Sequence, residues 1–275
     1  MKPAARVAIA LTFLSATVLA ADDSTRAALE KVVDGGQRSA AHKERDRYRH
    51  PVETLLFFGL RPDMTVVELY PGGEGWFTEI LAPFLREHGT LYAAGYDPQA
   101  EGDYYRKNAK KFADKLAAEP AVYDRVKVTV LAPPAKVAIA PDGSADMVVT
   151  FRNIHNWMND GQAETVFAAA YRALKPGGTF GVEEHRGNAG SPQDPKAKSG
   201  YVNEAYVIEL ARKAGFELAA RSEINANPKD TKDYPDGVWD LPPTLEAKDV
   251  NKEKYLAIGE SDRMTLKFVK PAADH

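Results

Sequence analysis

Two clusters of polar residues in the second half of the chain carry side chains suited to moving a proton. Each cluster follows an apolar run typical of a buried strand, and the clusters read Arg152-Asn153-Ile154-His155-Asn156-Trp157 and Glu184-His185-Arg186. An imidazole titrates near neutral pH, so His155 or His185 is suited to take a proton from an oxygen or nitrogen nucleophile. We therefore take His155, His185 and Asn153 as the candidate catalytic residues.

Two other roles remain open for these clusters. His155, His185 and Glu184 also form a possible set of metal ligands, but histidines on separate strands lack the local spacing of a metal motif. Polar residues in loops also commonly satisfy the ends of helices. We predict no metal site, and the structural role stays an alternative to the general base.

A glycine-rich turn in the first third of the chain is a candidate ligand site. A β-branched run ends in the acid Glu68, and three glycines follow before the apolar face of a helix. Glycine permits a positive φ and the close approach of a ligand, and free N–H groups at a helix start suit an anionic or polar group. Because Glu68 would repel a pyrophosphate, the turn is better suited to an amine or hydroxyl donor. Asp97 ends the next strand, where an acid in nucleotide-binding α/β folds accepts hydrogen bonds from ribose hydroxyls.

Composition and missing motifs exclude several classes of function. The 275 residues include no cysteine, which excludes disulfides and thiol chemistry. There is no Gly-x-Ser-x-Gly nucleophile motif and no Walker-type phosphate loop. The net charge is −3 and the basic residues form no block, so no nucleic-acid partner is predicted.

Residues 1–20 have the pattern of a signal peptide. Lys2 and Arg6 precede an uncharged apolar run, Val7–Leu19, and small residues follow at Ala20 and Ala21. The run is shorter than the roughly 20 residues of a membrane span. We expect cleavage after Ala20 or Ala21, export to the periplasm, and no stable membrane insertion after cleavage.

Strands and helices alternate along the rest of the chain. Strands are predicted at residues 65–68, 90–94, 126–131, 145–151, 179–186, 216–224 and 263–269, and helices at 52–60, 78–88, 101–119, 162–174 and 201–214. This alternation predicts one α/β domain over residues 51–271, with a parallel sheet and right-handed crossovers.

Two polar segments flank or interrupt this pattern. Residues 21–50 predict a largely helical lead-in, whose charged stretch at residues 42–50 is expected to be a solvated helix face. Residues 225–261 carry four prolines and few apolar residues, so we expect an insertion that acts as a mobile flap, anchored by Tyr234, Trp239 and Tyr255.

The order of these features resembles the class I S-adenosylmethionine (SAM)-dependent methyltransferases. The motifs that carry the resemblance are Val66-Val67-Glu68 with the glycine turn, Asp97, and Leu174-Lys175-Pro176-Gly177-Gly178 before the fifth strand. Within that group the chain is similar to exported bacterial methyltransferase-like proteins, through Tyr48–Thr54, Pro71-Gly72-Gly73, Phe151–Trp157 and Arg263–Pro271. The resemblance implies a Rossmann-like sheet of seven strands, mostly parallel with an antiparallel last strand, and helices on both faces.

The resemblance also implies which residues bind SAM. Gly72, Gly73 and Gly75 would approach its methionine part, Asp97 would hold the ribose hydroxyls, and Glu68 would help position the amino group. The cofactor set further includes Tyr70, which stands where the family has its first glycine, and Arg152. Glu74 interrupts the glycines, and Leu131-Ala132-Pro133-Pro134 offers no acid for the adenine amine.

The function predicted from the sequence is SAM-dependent methyl transfer to a small molecule. The alternative is a non-catalytic exported binding protein that keeps the fold. The sequence predicts neither the acceptor nor the oligomeric state.

Overall fold

The computed structural model describes residues 23–272, so the predicted signal peptide lies outside the described residues. The core is a seven-stranded sheet with the order β3-β2-β1-β4-β5-β7-β6, in which β7 is antiparallel to both of its neighbours. The strands are β1 (Thr65–Leu69), β2 (Thr90–Gly95), β3 (Lys127–Val130), β4 (Ala145–Phe151), β5 (Leu174–His185), β6 (Glu217–Ser222) and β7 (Arg263–Val269). The predicted fold class is confirmed.

Helices cover both faces of the sheet. They are α1 (residues 23–33), α2 (Ala40–Lys43), α3 (Asp46–Arg49), α4 (Pro51–Phe58), α5 (Thr78–Leu85), α6 (Asp103–Ala118), α7 (Pro120–Tyr123), α8 (Ile154–Asn159), α9 (Ala163–Ala173), α10 (Glu204–Ala214) and α11 (Lys252–Ile258). Successive strand residues point to opposite faces, so Val67 and Leu69 pack in one cluster with α9 and α10. Val66 packs in the other cluster with α4 and α5. These two layers pack on the faces of the sheet, so the strand ends between them are available to form a site.

The fifth strand is longer than predicted. β5 begins at Leu174 rather than at residue 179, because Leu174 is fully buried and pairs with Ala145 of β4. The register then shifts between Ala145 and Met147, which places the Pro-Gly-Gly sequence within the strand as an irregularity. The helix from Thr78 also ends earlier than predicted, at Leu85 rather than near His88.

The charged stretch of the lead-in is solvated only in part, and the prediction of a solvated face is wrong for Arg45 and Arg49. The side chain of Arg49 is only 6% exposed, and that of Arg45 is 23% exposed. The guanidinium groups of Arg38 and Arg49 each lie 4.7 Å from the ring centroid of Trp76. The lead-in therefore packs on the domain and contributes side chains to its site.

Residues 225–261 contain more ordered structure than their composition suggests. A 3₁₀ turn (Gly237–Asp240) and α11 lie here, and Tyr234, Leu241 and Tyr255 form a small hydrophobic cluster of their own. The buried carboxylate of Asp230 accepts hydrogen bonds from the Tyr201 hydroxyl at 2.8 Å and 3.0 Å. The expectation that few residues are buried here is wrong, whereas the mobility of the segment stays a prediction.

Within residues 23–272, no helix is both long enough and apolar enough to cross a membrane.

Candidate functional site

A cavity of about 340 Å³ opens at the carboxyl ends of β1, β4 and β5. Small-molecule sites typically measure roughly 300–1,000 Å³, so the cavity has the size of a ligand site. Four parts of the chain line it: the lead-in, the segments that follow the strand ends, the start of α6, and the segment 225–261. The lining residues are Arg45, Arg49, Tyr70, Pro71, Gly72, Tyr96, Tyr104, Phe151, Arg152, Asn153, His155, Asn156, His185, Val238, Trp239, Pro242, Pro243, Thr244 and Glu260.

Two of these residues have a backbone conformation that side chains rarely adopt. Tyr70, just after β1, has φ = 48°, and Arg152, just after β4, has φ = 59°. A left-handed conformation costs a non-glycine residue roughly 1–2 kcal/mol, and such strain is concentrated at functional sites. The Tyr70 ring packs 4.5 Å from the Tyr96 ring and 5.7 Å from the Trp157 ring. The fold thus holds two large side chains at the cavity at some energetic cost.

The three glycines of the turn serve different purposes. Gly72 has φ = 69°, and a Cβ atom built on it would meet no atom within 4 Å, so its open side is free for a ligand. A Cβ on Gly73 would lie 2.7 Å from Asn108 Oδ1, and one on Gly75 would lie 2.9 Å from the Phe112 ring. Gly73 and Gly75 therefore let α6 pack against the turn, and only Gly72 of the three lines the cavity.

The two predicted acids lie beside the cavity rather than in its wall. Glu68 is buried, and its Oε2 accepts a hydrogen bond from Thr78 Oγ1 at 2.6 Å. Burial raises the pKa of Glu68 to about 7. Asp97 pairs with Lys136 Nζ at 2.5 Å and accepts from the backbone N–H of Gln99 at 2.9 Å. The bond to Lys136 holds the pKa of Asp97 below its usual range.

His155 is held by a buried carboxylate. Its Nδ1 lies 3.0 Å from Oε1 of Glu184, which is fully buried. The same carboxylate accepts backbone N–H bonds from Ile154 at 2.5 Å and from His185 at 2.8 Å. A carboxylate held in this way accepts the Nδ1 proton, so the lone pair of His155 is on Nε2. This is the arrangement of a general base with a residue that orients it.

The second histidine lies next to the first in a different environment. The two ring centroids are 5.3 Å apart, and His185 Nδ1 lies 2.5 Å from Ser261 Oγ. Burial, followed by the proximity of His155 and of Arg263, holds the pKa of His185 well below its usual range. His185 is therefore neutral at physiological pH and is a weaker proton acceptor than an ordinary imidazole.

The ligand atoms of His155, Glu184 and His185 lie within 4.8 Å of one another, so these three side chains are close enough together to bind one metal ion. However, Glu184 already accepts hydrogen bonds at both of its oxygens. A metal ion would have to displace them, and the geometry favours the orienting role.

Asn153 connects two of the strand ends that form the site. Its Nδ2 donates to the carbonyl oxygen of Leu69 at 3.1 Å and contacts that of Tyr70 at 3.4 Å. The residue therefore ties the end of β4 to the glycine turn after β1.

An arginine cluster at the cavity was not predicted as a whole. Arg45 and Arg49 both bind Glu260, through their Nε atoms at 2.6 Å and 3.2 Å. Behind them, Glu183 Oε1 accepts from both Arg152 and Arg263, each at 2.8 Å. The spacing of four residues between Arg45 and Arg49 predicts that they share one helix face. The sequence does not reveal that this face packs inward.

Residues 72–182 match the family model described as a methyltransferase domain. The sequence has no significant match among curated proteins.

Solved structures share the fold. A SAM-dependent methyltransferase from Aquifex aeolicus is 15% identical with a TM-score of 0.53, over 82% of this chain and 92% of that one. The [4+2]-cyclase SpnF is also 15% identical, with a TM-score of 0.56 over 87% and 86%. Phosphoethanolamine N-methyltransferase 2 of Haemonchus contortus, solved in complex with SAM, is 17% identical with a TM-score of 0.52, over 82% and 53%. Together with the domain match, this shared fold confirms the predicted resemblance: residues 72–182 match a methyltransferase domain within a class I SAM-dependent methyltransferase fold.

Proposed function

We propose that the protein methylates an oxygen or nitrogen atom of a small molecule, with SAM as the methyl donor and His155 as the general base. The observation that carries this proposal is the His155–Glu184 pair, whose imidazole lines the same cavity as Gly72 of the glycine turn. Proximity of a ligand turn and an oriented base is what methyl transfer to a protonated nucleophile requires.

The residues around Gly72 fit the cofactor. The space beside its Cα is free, and so is that beside Gly95 at the end of β2. A second, apolar crevice of about 150 Å³ adjoins the cavity and shares Pro71, Gly72 and Tyr96 with it. An apolar crevice suits a flat aromatic ring such as a purine, and Phe112 and Val130 line it. Asp97 would reach a ribose by exchanging its bond to Lys136 for hydroxyl donors.

The chemistry divides between the cofactor and the chain. When bound, SAM supplies a methyl group whose bond to sulfur breaks with the electron pair left on sulfur, which yields S-adenosylhomocysteine. His155 Nε2 takes the proton of the acceptor as the acceptor's lone pair forms the new bond to carbon. Glu184 keeps the ring in the tautomer and orientation that this step needs.

The other predicted residues have supporting roles. His185 has a lowered pKa and is therefore a weak base, so we assign it to hydrogen bonding with the acceptor rather than to proton removal. Asn153 keeps the glycine turn in place through its bonds to Leu69 and Tyr70. Arg152 donates to Glu183 through one nitrogen and has further N–H groups at the cavity for an anionic group of the bound molecules.

The site of action is proposed to be the periplasm. The charged start, apolar run and small residues of positions 1–21 support export. Mass spectrometry of the protein from its native host tests this: a chain that begins at Ala21 or Asp22 is expected, and an intact start in the cytoplasmic fraction would contradict it.

Calorimetric titration with SAM and S-adenosylhomocysteine tests the proposed function. We expect both to bind, and a screen of phenols, amines and thiols then identifies an acceptor. Binding without any methyl transfer would favour the non-catalytic binding protein. If neither compound binds, the methyltransferase proposal is wrong.

A further inference from the structure

We propose that the methyl acceptor carries an oxyanionic group, a carboxylate or a phosphate, that is bound by Arg45 and Arg49. This inference rests on the proposed function, because it concerns the acceptor side of the same cavity.

The acceptor side can be identified by where its residues come from. Residues 72–182, which match the methyltransferase domain, contribute the glycine turn and His155. Much of the wall outside that range comes from two other segments: the lead-in contributes the two arginines, and the segment 225–261 contributes Trp239, Pro242 and Pro243. A shared domain supplies the cofactor site, whereas grafted segments determine the individual substrate. The arginines therefore face the acceptor.

Both arginines have N–H groups that are not used in their bonds to Glu260. Each bonds Glu260 through Nε alone, and their terminal amino groups have no hydrogen-bond partner among the described residues. Those amino groups are not fully buried, and both residues line the cavity. Glu260 thus fixes two guanidinium groups side by side, and such groups bind carboxylate or phosphate oxygens in a bidentate manner.

The local balance of charge is positive. Four arginines gather here (Arg45, Arg49, Arg152 and Arg263), against three carboxylates (Glu183, Glu184 and Glu260). Glu184 bonds backbone N–H groups and His155, so only Glu183 and Glu260 pair with the guanidinium groups, and the excess over all three carboxylates is one positive charge. Burial, and after it the charge of Arg152, holds the pKa of Arg49 well below its usual range. An anion on the acceptor would neutralise this excess.

The body of the acceptor is expected to be apolar and flat. The Trp239 ring lies 5.4 Å from the His155 ring, and two prolines follow it along the wall. An aromatic ring placed against Trp239 would present a hydroxyl or amino group to His155 while its anionic group meets the arginines.

Calorimetry on the full chain saturated with S-adenosylhomocysteine tests the proposal, with para-hydroxybenzoate, phenyl phosphate, phenol and tyramine as probes. We expect the two anionic probes to bind at least about tenfold more tightly than phenol, since charge-assisted hydrogen bonds are strong, and tyramine to bind most weakly. Arg45→Gln and Arg49→Gln should each remove most of this preference. The matched control is Arg47→Gln, which lies between the two arginines, removes one exposed positive charge and should leave the preference unchanged.

Equal binding of anionic and neutral probes, or no binding of any probe, would overturn the proposal while leaving the cofactor site intact. A preference that survives both arginine variants would overturn the assignment to these residues. Because Arg49 is buried, Arg45→Gln decides the matter if the Arg49 variant does not fold. If S-adenosylhomocysteine itself does not bind, the proposed function falls, and the same probe series without it still tests the oxyanion site.

Discussion

Glu184 and His155 are joined twice. Glu184 Oε1 lies 3.0 Å from His155 Nδ1, and Glu184 Oε2 accepts from the backbone N–H of Ile154 at 2.5 Å and from that of His155 at 3.3 Å. One buried carboxylate at the end of β5 therefore both orients the imidazole and satisfies the first backbone donors of α8. This coupling is a means of keeping a base in place before a substrate arrives.

His155→Ala is expected to lower turnover by about a hundredfold to ten-thousandfold, the usual contribution of a positioned base. The affinity for S-adenosylhomocysteine should stay within about a factor of three, because His155 removes a proton rather than holding the cofactor. His185→Ala should have a smaller effect, since its lowered pKa makes that ring a weak base and Nδ1 is bound to Ser261. Steady-state rates and calorimetry on the same preparations measure both quantities. The exposed His88→Ala is the control. Equal rates for wild type and His155→Ala would exclude the general base.

Glu184→Gln tests the orienting role, because glutamine has nearly the same size as glutamate but different hydrogen-bonding groups. A carboxylate only accepts hydrogen bonds, whereas the amide of glutamine can donate to Nδ1 and shift the ring proton to Nε2. We expect turnover to fall on the order of tenfold or more while the protein stays folded. NMR of the His155 ring nitrogens reads the tautomer directly. Glu87→Gln, an exposed position, is the control. An unchanged tautomer together with an unchanged rate would contradict the role of Glu184.

The sequence predicts the sheet well because its signals are local. Apolar runs such as Ala145–Phe151 and the glycines after Glu68 define strands and turns without tertiary information. The strand-end clusters are also predictable as neighbours, because parallel strands end on one edge. His155 and His185 lie together for that reason.

Features that depend on packing across the chain could not be predicted. Nothing near Arg49 in sequence indicates that Trp76 and Glu260 would enclose it. The segment 225–261 reads as polar, yet Tyr234, Leu241 and Tyr255 meet only when it folds back on itself. The extra residues of β5 depend on the pairing of Leu174 with Ala145, which is a long-range contact. The composition of a segment does not show which distant parts of the chain pack against it, and the burial of its residues depends on those contacts.

Glu68→Gln should change how stability depends on pH. Burial raises the pKa of Glu68 from 4.5 to about 7. Between these values the unfolded chain has lost the proton and the folded protein keeps it, so stability falls as pH rises through this window. Above about pH 7 the buried charge of Glu68 lowers the free energy of unfolding by its full amount, about 3 kcal/mol at 1.36 kcal/mol per pKa unit. Glutamine carries no such cost, so urea unfolding should show the variant gaining stability relative to wild type from about pH 4.5 to about pH 8. A difference between the two proteins that does not change with pH would contradict the raised pKa.

Asp97→Ala is expected to weaken SAM binding about tenfold to a hundredfold, because two ribose hydroxyls would lose a charged acceptor worth roughly 1.5–3 kcal/mol. Lys136→Ala is the matched variant, since it breaks the same ion pair from the other side. Its affinity should stay within about a factor of three of wild type. Calorimetry on both variants decides between a ribose acceptor and a purely structural ion pair. In the structural case, neither variant would alter SAM affinity.

Gly72→Ala tests the open side of the glycine turn. The backbone of Gly72 has φ = 69°, so alanine there costs roughly 1–2 kcal/mol of stability. Gly143, in a turn before β4, has φ = 62° and equally open space at its Cβ position, so Gly143→Ala carries the same backbone cost away from the cavity. Both variants should therefore lose similar stability in urea unfolding. Only Gly72→Ala places a methyl group where the cofactor must approach, and we expect its affinity for S-adenosylhomocysteine to fall by at least about tenfold. Equal affinities in the two variants would show that the cofactor does not approach the chain at Gly72.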